Sequence, residues 1–347
     1  MLGNCGLLKN YWYVAAKSDE VSGKKPIRRM ILAVPLVLWR SMNREIAVML
    51  DRCNHRNAPL SEGKIIDDCV VCPYHGWTYN PDGQCVNIPS EGPEQHRIPN
   101  KKVQSFPVKE QYGLIWVWMG DDIAPDKELF SMPKWNEKGW KNYYMVTRFS
   151  NNVTDLIENF MDVPHTVYVH KGWFRDRKQI CIKTQVERTG DSVLVSYDQP
   201  NDSIGFSSWI VNPKKLPLKH TDNFYMPNVT RVDYVYGEEE RAFIITSTCT
   251  PVRPFETIVY TLISYKLGWL NPLAKLFLPA YTKKVIDQDV WIMDIHGKNI
   301  QHFKTQDYKS TQVDTMHLYI ESLRNWAESG GVGKEPQPIK KEMEFWI

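Results

Sequence analysis

The sequence predicts an α+β protein of two unequal domains. A small all-β domain comes first, and a larger domain follows in which an antiparallel sheet grips a helix. Three observations predict this. From about residue 30 to residue 118, strand-like runs alternate with turns punctuated by Pro59, Gly63, Pro73, Gly76, Pro81 and Gly83. A helical pattern then opens the second half at residues 151–170. A series of strand-like runs and two further helical patterns close the chain, the order expected of an α+β layout. The boundary is placed to give domains 1–120 and 121–347.

In the first domain, residues 30–50 read as two short strands around a turn at Ser41–Asn43, and YGLIWVWMG (112–120) as a buried closing strand. DDIAPDKELFSMPKW (121–135) reads as a linker. In the helical pattern at 151–170, Val153, Leu156, Ile157 and Phe160 share a face. Strand-like runs follow at 181–187, 192–198, 205–211, 229–236, 241–249 and 256–264, then helical patterns at 274–300 and 312–327.

The bulk numbers exclude several functions. The 347 residues carry 43 basic and 40 acidic side chains, a formal charge of +3, which predicts no nucleic-acid footprint. Seven cysteines in so long a chain do not read as a disulfide framework, so a reducing cytoplasm is expected. The N-terminus lacks the basic and apolar regions of a signal peptide. The leucine-rich stretch at 262–281 is interrupted by Lys266, Pro272, Lys275 and Pro279, so no transmembrane segment is expected. That stretch reads either as a core-packing helix or as a cover over a large hydrophobic ligand.

The stretch CNHRNAPLSEGKIIDDCVVCPYHGW holds Cys53, His55, Cys72 and His75 as C-x-H and C-x-x-H. Two thiolates and two imidazoles suit a tetrahedral zinc or a mixed-ligand [2Fe–2S] cluster. Zinc sites of this composition commonly pair like ligands locally. Here each knuckle supplies one of each, which suits a cluster whose two irons are inequivalent, with thiolates on one and imidazoles on the other. Pro73 and Gly76 allow a tight loop with backbone N–H groups turned to sulfide, and Trp77 and Tyr79 can shield it. Cys69 and Cys85 fall outside the spacing and read as structural.

ENFMDVPHTVYVH supplies Asn159, Asp162, His165 and His170. Two imidazoles and one carboxylate with open positions form the ligand set of non-haem Fe(II) oxygenases. Residues five apart on a regular helix diverge by roughly 140°. His165 and His170 therefore cannot face one ion from an unbroken helix, and a break is predicted between 162 and 170, near Pro164. The third ligand must come from far along the chain, where Asp287, Asp289 and Asp294 are available.

CNHRNAPLSEG…CPYHGWTY resembles the Rieske domain of ring-hydroxylating and demethylating oxygenases, and N-x-x-D-x-x-H-x-x-x-x-H resembles their catalytic signature. Ala58 and Tyr74 stand where respiratory-chain Rieske domains carry a disulfide, so the resemblance is to the oxygenase type. It covers nearly the whole chain. It implies an N-terminal Rieske [2Fe–2S] domain and a C-terminal helix-grip catalytic domain with a mononuclear Fe(II). It also implies that Asp289, preceded by Gln288, is the third iron ligand, and that Asn159 lies near the iron. Asp162 would link His165 to cluster ligand His75 of a neighbour in a head-to-tail homotrimer.

The function implied is that of a terminal oxygenase, hydroxylating or oxidatively demethylating a small apolar substrate (aromatic, alicyclic or steroid-like) with dioxygen. No nicotinamide or flavin fingerprint is present, so electrons must come from a separate NAD(P)H-dependent reductase, directly or through a ferredoxin. The competing function is a Rieske-type electron carrier with an inert binding domain. Phe206, Trp209, Phe224, Tyr225, Tyr234 and Phe243 are the candidate aromatic pocket residues.

Overall fold

Residues 27–50 pair as three strands, β2 (Ile27–Ile31), β3 (Val34–Arg40) and β4 (Ile46–Leu50), around the expected turn and one unexpected strand. The computed structural model describes residues 6–92, 102–121, 128–173, 180–199, 212 and 214–347. Its contacts divide them into two compact units, Lys9–Phe130 and Ser131–Ile347 with residues 6–8.

In the first unit, β1 (Tyr11–Lys17), β9 (Val108–Gln111) and β10 (Leu114–Met119) form a sheet in the order β1-β10-β9. A third sheet joins β5 (Lys64–Ile66), β6 (Cys69–Val71), β7 (Thr78–Tyr79) and β8 (Cys85–Asn87). The apolar run in β3 has a two-sided explanation. Leu36 and Leu38 pack into the core shared with β1 and β10, whereas Val37 and Trp39 pack into the core beneath Cys53 and Cys72. Successive strand residues face opposite sides, so a strand buried on both reads as continuous hydrophobic sequence.

The second unit is built on one antiparallel sheet in the order β11-β17-β16-β15-β14-β13-β12-β18. The strands are β11 (Lys141–Phe149), β12 (Cys181–Arg188), β13 (Ser192–Asp198), β14 (Leu218–Tyr225), β15 (Val229–Tyr236), β16 (Arg241–Arg253), β17 (Glu256–Lys266) and β18 (Ile339–Trp346). The helices are α1 (Val153–Met161), α2 (Thr166–Val169), α3 (Asn271–Phe303) and α4 (Thr315–Glu328). This is the expected helix-grip α+β arrangement. The strand-like run at 205–211 lies outside the described residues.

Helix α1 starts where Asn152 accepts a hydrogen bond from the Asp155 backbone N–H at 2.9 Å. It buries Val153, Leu156, Ile157 and Met161 in the sheet's core. Full burial of an aliphatic side chain contributes about 1.5–3 kcal/mol, so tertiary packing holds this short helix more than propensity does. Helix α3, about 50 Å long at 1.5 Å per residue, buries a narrow stripe that includes Thr282, Asp289, Met293, Gly297 and Ile300. Asn151 Nδ2 donates to the Met293 carbonyl at 3.0 Å, which sets α3 against the start of α1.

The leucine-rich stretch divides. Its first part ends β17; its second begins α3, with Ala274 and Leu278 packed inward and Leu273 and Leu276 exposed, as is Trp269 in the turn between β17 and α3. Tyr281 and Thr282 at its end reach the cavity described below, so it both packs the core and borders the cavity.

Candidate metal centres

The first candidate centre sits on two loops of the N-terminal unit. In one, Asn57 N–H donates to the Cys53 carbonyl and Cys53 N–H to the Ala58 carbonyl, both at 2.9 Å. In the other, Cys72 N–H donates to the Trp77 carbonyl at 2.8 Å and Gly76 N–H to the Cys72 carbonyl at 3.1 Å. Gly76 has φ +72, a conformation that favours glycine, and it closes the second knuckle. These turns bring the Cys53 and Cys72 thiols into contact, with the Tyr74 and His75 backbone N–H groups directed at the Cys72 sulfur. Burial outweighs those N–H groups and raises the Cys72 thiol above its usual range.

The two imidazoles pair as well. His55 and His75 have ring centroids 4.5 Å apart. Trp77 stacks on His55 at 4.7 Å with 5° between planes, and Tyr74 covers His75 at 3.9 Å. Tyr79 is buried with its hydroxyl 3.2 Å from the Cys53 sulfur. Among the described residues, these four ligands do not converge within 4.8 Å as ligands of a single ion do. A thiol pair and an imidazole pair suit a two-iron cluster rather than a tetrahedral zinc. Cys69 and Cys85 lie on β6 and β8, as free thiols.

The second centre forms where α1 stops. Asp162 is the C-cap of α1, and His165 and His170 cap the two ends of α2, a single turn. The predicted helix break is therefore present. It brings the two Nε2 atoms within 3.3 Å. Asp289, from the middle of α3, places Oδ1 3.1 Å from His170 Nε2 and 3.6 Å from His165 Nε2. All three ligand atoms lie within 4.8 Å of one another. Asp287 and Asp294 instead form exposed i,i+4 pairs with Lys283 and Lys298.

Each ligand is held from behind. His165 Nδ1 lies 3.3 Å from Asp162 Oδ2, and that oxygen accepts the His165 backbone N–H at 3.0 Å. Gln288 Oε1 lies 3.0 Å from His170 Nδ1 and accepts its proton, leaving the Nε2 lone pair for a metal. Asn159 Nδ2 donates to Asp289 Oδ1 at 3.2 Å. Gln288 entered the sequence reading only as the neighbour of Asp289; a glutamine in a helix carries no signal of what it will touch.

The electrostatics suit a cation. Burial disfavours an ionised Asp289, yet His165 and His170 outweigh it and bring the carboxyl down to about 2. Burial likewise opposes a charged His165, but Asp162 and Asp289 push it up to about 9.

This triad opens into a cavity of about 130 Å³ between α1, α3 and the sheet. Phe160, Val232, Phe243, Ile245 and Ile263 line it, with Tyr234 and hydroxyl groups from Thr230, Ser247 and Thr261. Of the expected aromatic residues, Tyr234 and Phe243 face the cavity. Phe224 packs in the core and Tyr225 is half-buried away from the lining, while Phe206 and Trp209 lie outside the described residues.

Two family profiles match in series, the Rieske [2Fe-2S] domain over residues 11–107 and the vanillate O-demethylase oxygenase C-terminal domain over residues 151–321. The chain belongs to the Rieske oxygenase family. The family's two cofactors are a [2Fe–2S] cluster and a mononuclear iron, and each of the two ligand sets described above suits one of them.

Among curated Rieske oxygenases, the oxygenase component of dicamba O-demethylase from Stenotrophomonas maltophilia is 38% identical over 167 residues, 47% of this chain and 48% of that protein. The iron-sulfur subunit of the toluene-4-sulfonate monooxygenase system from Comamonas testosteroni is 34% identical over 188 residues, 52% of each chain. The chain thus spans about half the length of these relatives. The structure of dicamba monooxygenase bound to 3,6-dichlorosalicylic acid superposes with a TM-score of 0.80 at 21% identity, covering 94% of this chain and 99% of that one. That likeness extends the shared fold across both units. Among the described residues no helix is long and apolar enough to cross a membrane.

Proposed function

We propose that this chain is the terminal oxygenase of a multi-component system that hydroxylates or oxidatively demethylates a small, largely apolar ring compound. The convergence of His165, His170 and Asp289 on an apolar cavity carries this reading. An electron carrier gains nothing from a second ligand triad opening into a pocket. Iron at the triad supplies dioxygen activation, with electrons entering through the cluster. Single-ring substrates suit the volume, since an apolar cavity of about 150 Å³ holds benzene.

The chain's own residues do the positioning. Cys53 and Cys72 would hold one iron of the cluster, and His55 and His75 the other. Gln288 fixes the His170 tautomer, Asp162 orients His165, and Asn159 steadies Asp289. The apolar lining keeps bulk water from the triad, which strengthens the polar contacts inside it.

Relatives named for O-demethylation and for monooxygenation favour one-atom chemistry. Since those relatives are named as components of larger systems, a separate NAD(P)H-dependent reductase, directly or through a ferredoxin, is the proposed electron source. A closed head-to-tail trimer is the proposed assembly. Exposed Tyr74 beside His75 and exposed Tyr168 on α2 are surfaces that a neighbouring copy would cover, with Asp162 relaying between one copy's His75 and the next copy's His165. The free cysteines fit a reducing cytoplasm.

Iron and sulfide analysis with a substrate panel tests the reading. Red-brown protein with about three irons for every two sulfides is expected, and dioxygen uptake with a surrogate reductase should match product formed. Equal iron and sulfide, with no uptake on any substrate, would leave the electron-carrier function.

A further inference from the structure

Strand β14 alternates buried positions with half-buried or exposed ones, and two of its inward side chains are polar: His220, 1% exposed, and Asp222, 2% exposed. Asp222 borders the cavity on the sheet side. Tyr197 from β13 donates its hydroxyl to Asp222 Oδ2 at 2.8 Å. His220 Nε2 lies 3.0 Å from Asp222 Oδ1. The imidazole is held between two rings, Tyr197 at 4.3 Å and Tyr234 at 4.6 Å between centroids.

The donor directions follow from the chemistry. A carboxylate only accepts, so Nε2 supplies the proton of its contact. Nδ1 is buried and has no hydrogen-bond partner among the described residues. Burial, and then the charge of Asp222, push the Tyr197 hydroxyl well above its usual range, so it remains a donor. Each Asp222 oxygen therefore receives one hydrogen bond from the protein and keeps acceptor capacity for another.

Burying a carboxylate is costly unless it is hydrogen-bonded and balanced. No lysine or arginine lines this cavity among the described residues. Asp289 belongs to the triad that would hold a metal cation; Asp222 is not part of that group. Asp162, a second acid, also lines the cavity. Apart from His165 and His170 of the triad, no side-chain base lines the cavity among the described residues, so away from the triad a ligand carrying a negative charge meets the carboxylates of Asp162 and Asp222.

We infer that Asp222 is a substrate-recognition residue, and that the cavity selects a neutral or cationic ring compound bearing a hydrogen-bond donor over an aromatic anion. This rests on the oxygenase reading for the identity of the cavity. Tyr197 and His220 are positioning residues that aim the Asp222 oxygens.

Anaerobic calorimetric titration of the holoprotein with benzyl alcohol, benzylammonium and benzenesulfonate tests it. Both donor probes should bind at least about tenfold tighter than the sulfonate, the scale of a hydrogen bond to a charged group. Asp222→Asn, with folding verified by an unchanged cluster spectrum, should cut benzylammonium affinity about tenfold and narrow the gap to the sulfonate. Sulfonate binding as tight as the alcohol overturns the inference, as does failure of both donor probes to bind. An Asp222→Asn protein with an unaltered ranking overturns it too. If that variant does not fold, the ranking in the native protein decides alone. No electron donor is present in these titrations, so they report on the cavity independently of turnover. Failure of the oxygenase reading shows instead as absent dioxygen uptake.

Discussion

His165 and His170 hold their Nε2 atoms 3.3 Å apart although they are five residues apart in the chain. A continuous helix would turn them roughly 140° away from each other. They meet because α1 ends at Met161, and the single turn α2 begins just after His165 and ends just before His170. The pair thus depends on a local backbone device, and Asp289 arrives from a separate helix to complete the triad.

The separation of the two centres predicts separable losses. His165→Ala should remove the mononuclear iron and turnover while the cluster stays reducible. Iron counting before and after dithionite reduction, with EPR of the cluster, checks this. Loss of the cluster together with the single iron would mean that the ligand sets are not independent.

Asp162 and Asp289 should behave differently, because one backs a ligand and the other is placed as one. Asp289→Ala should deplete the mononuclear iron. Asp162→Asn should keep both metals and slow cluster oxidation sharply in single-turnover experiments with substrate and dioxygen. Wild-type oxidation rates in Asp162→Asn would exclude its relay role.

Cys53→Ser and His75→Ala should each abolish the visible and EPR signatures of the cluster. These side chains come from different knuckles and would hold different irons. A variant of either kind with full sulfide content and an unaltered rhombic signal would contradict the ligand assignment.

Arg40 and Glu110 form a double contact, with both N–O distances 2.9 Å. The Arg40 hydrogen bond holds the Glu110 carboxyl below its ordinary value. A depressed carboxyl contributes stability that is present above its unfolded value and lost as pH falls through its folded one. Acid titration of stability from pH 5 to pH 3 should therefore show a shallower decline in Glu110→Gln. The pair is solvent-accessible, so the difference should stay below about 1 kcal/mol.

Gly297 tests the seating of α3. A Cβ there would run into the Ser150 carbonyl and sit 3.2 Å from Asn151 Cγ. Replacing a helical glycine with alanine ordinarily gains about 1 kcal/mol, whereas overpacking costs about 1–3 kcal/mol. Gly297→Ala should therefore lower the melting temperature, by about 2–4 °C for each net kcal/mol lost. A raised melting temperature would show that α3 can shift without cost.

How much of this was legible beforehand depended on whether the information was local. Cys53, His55, Cys72 and His75 lie within one stretch, and so do Asn159, Asp162, His165 and His170; their spacing was enough to suggest metal chemistry and even the helix break. Asp289 needed family resemblance, since nothing local separates it from Asp287 and Asp294. The fold explains the choice: buried stripe positions on α3 face the triad, whereas Asp287 and Asp294 pair with lysines on its outer side.

Strands β11, β14 and β18 escaped the pattern for physical reasons. β11 is half-buried along most of its length, and β18 is an edge strand that buries only Met343 and Phe345. β14 alternates strictly, yet two of its inward positions are His220 and Asp222, so its buried face reads as polar. The sequence by itself determined the fold class, the two Cys/His knuckles and the two histidines of the candidate triad, because spacing along a chain encodes which neighbours can share a face. Tertiary structure alone decided the partners of Asp289, the contact between Gln288 and His170, and the buried carboxylate at Asp222. Each is a contact between side chains distant in sequence or turned inward by packing, and no local period records it.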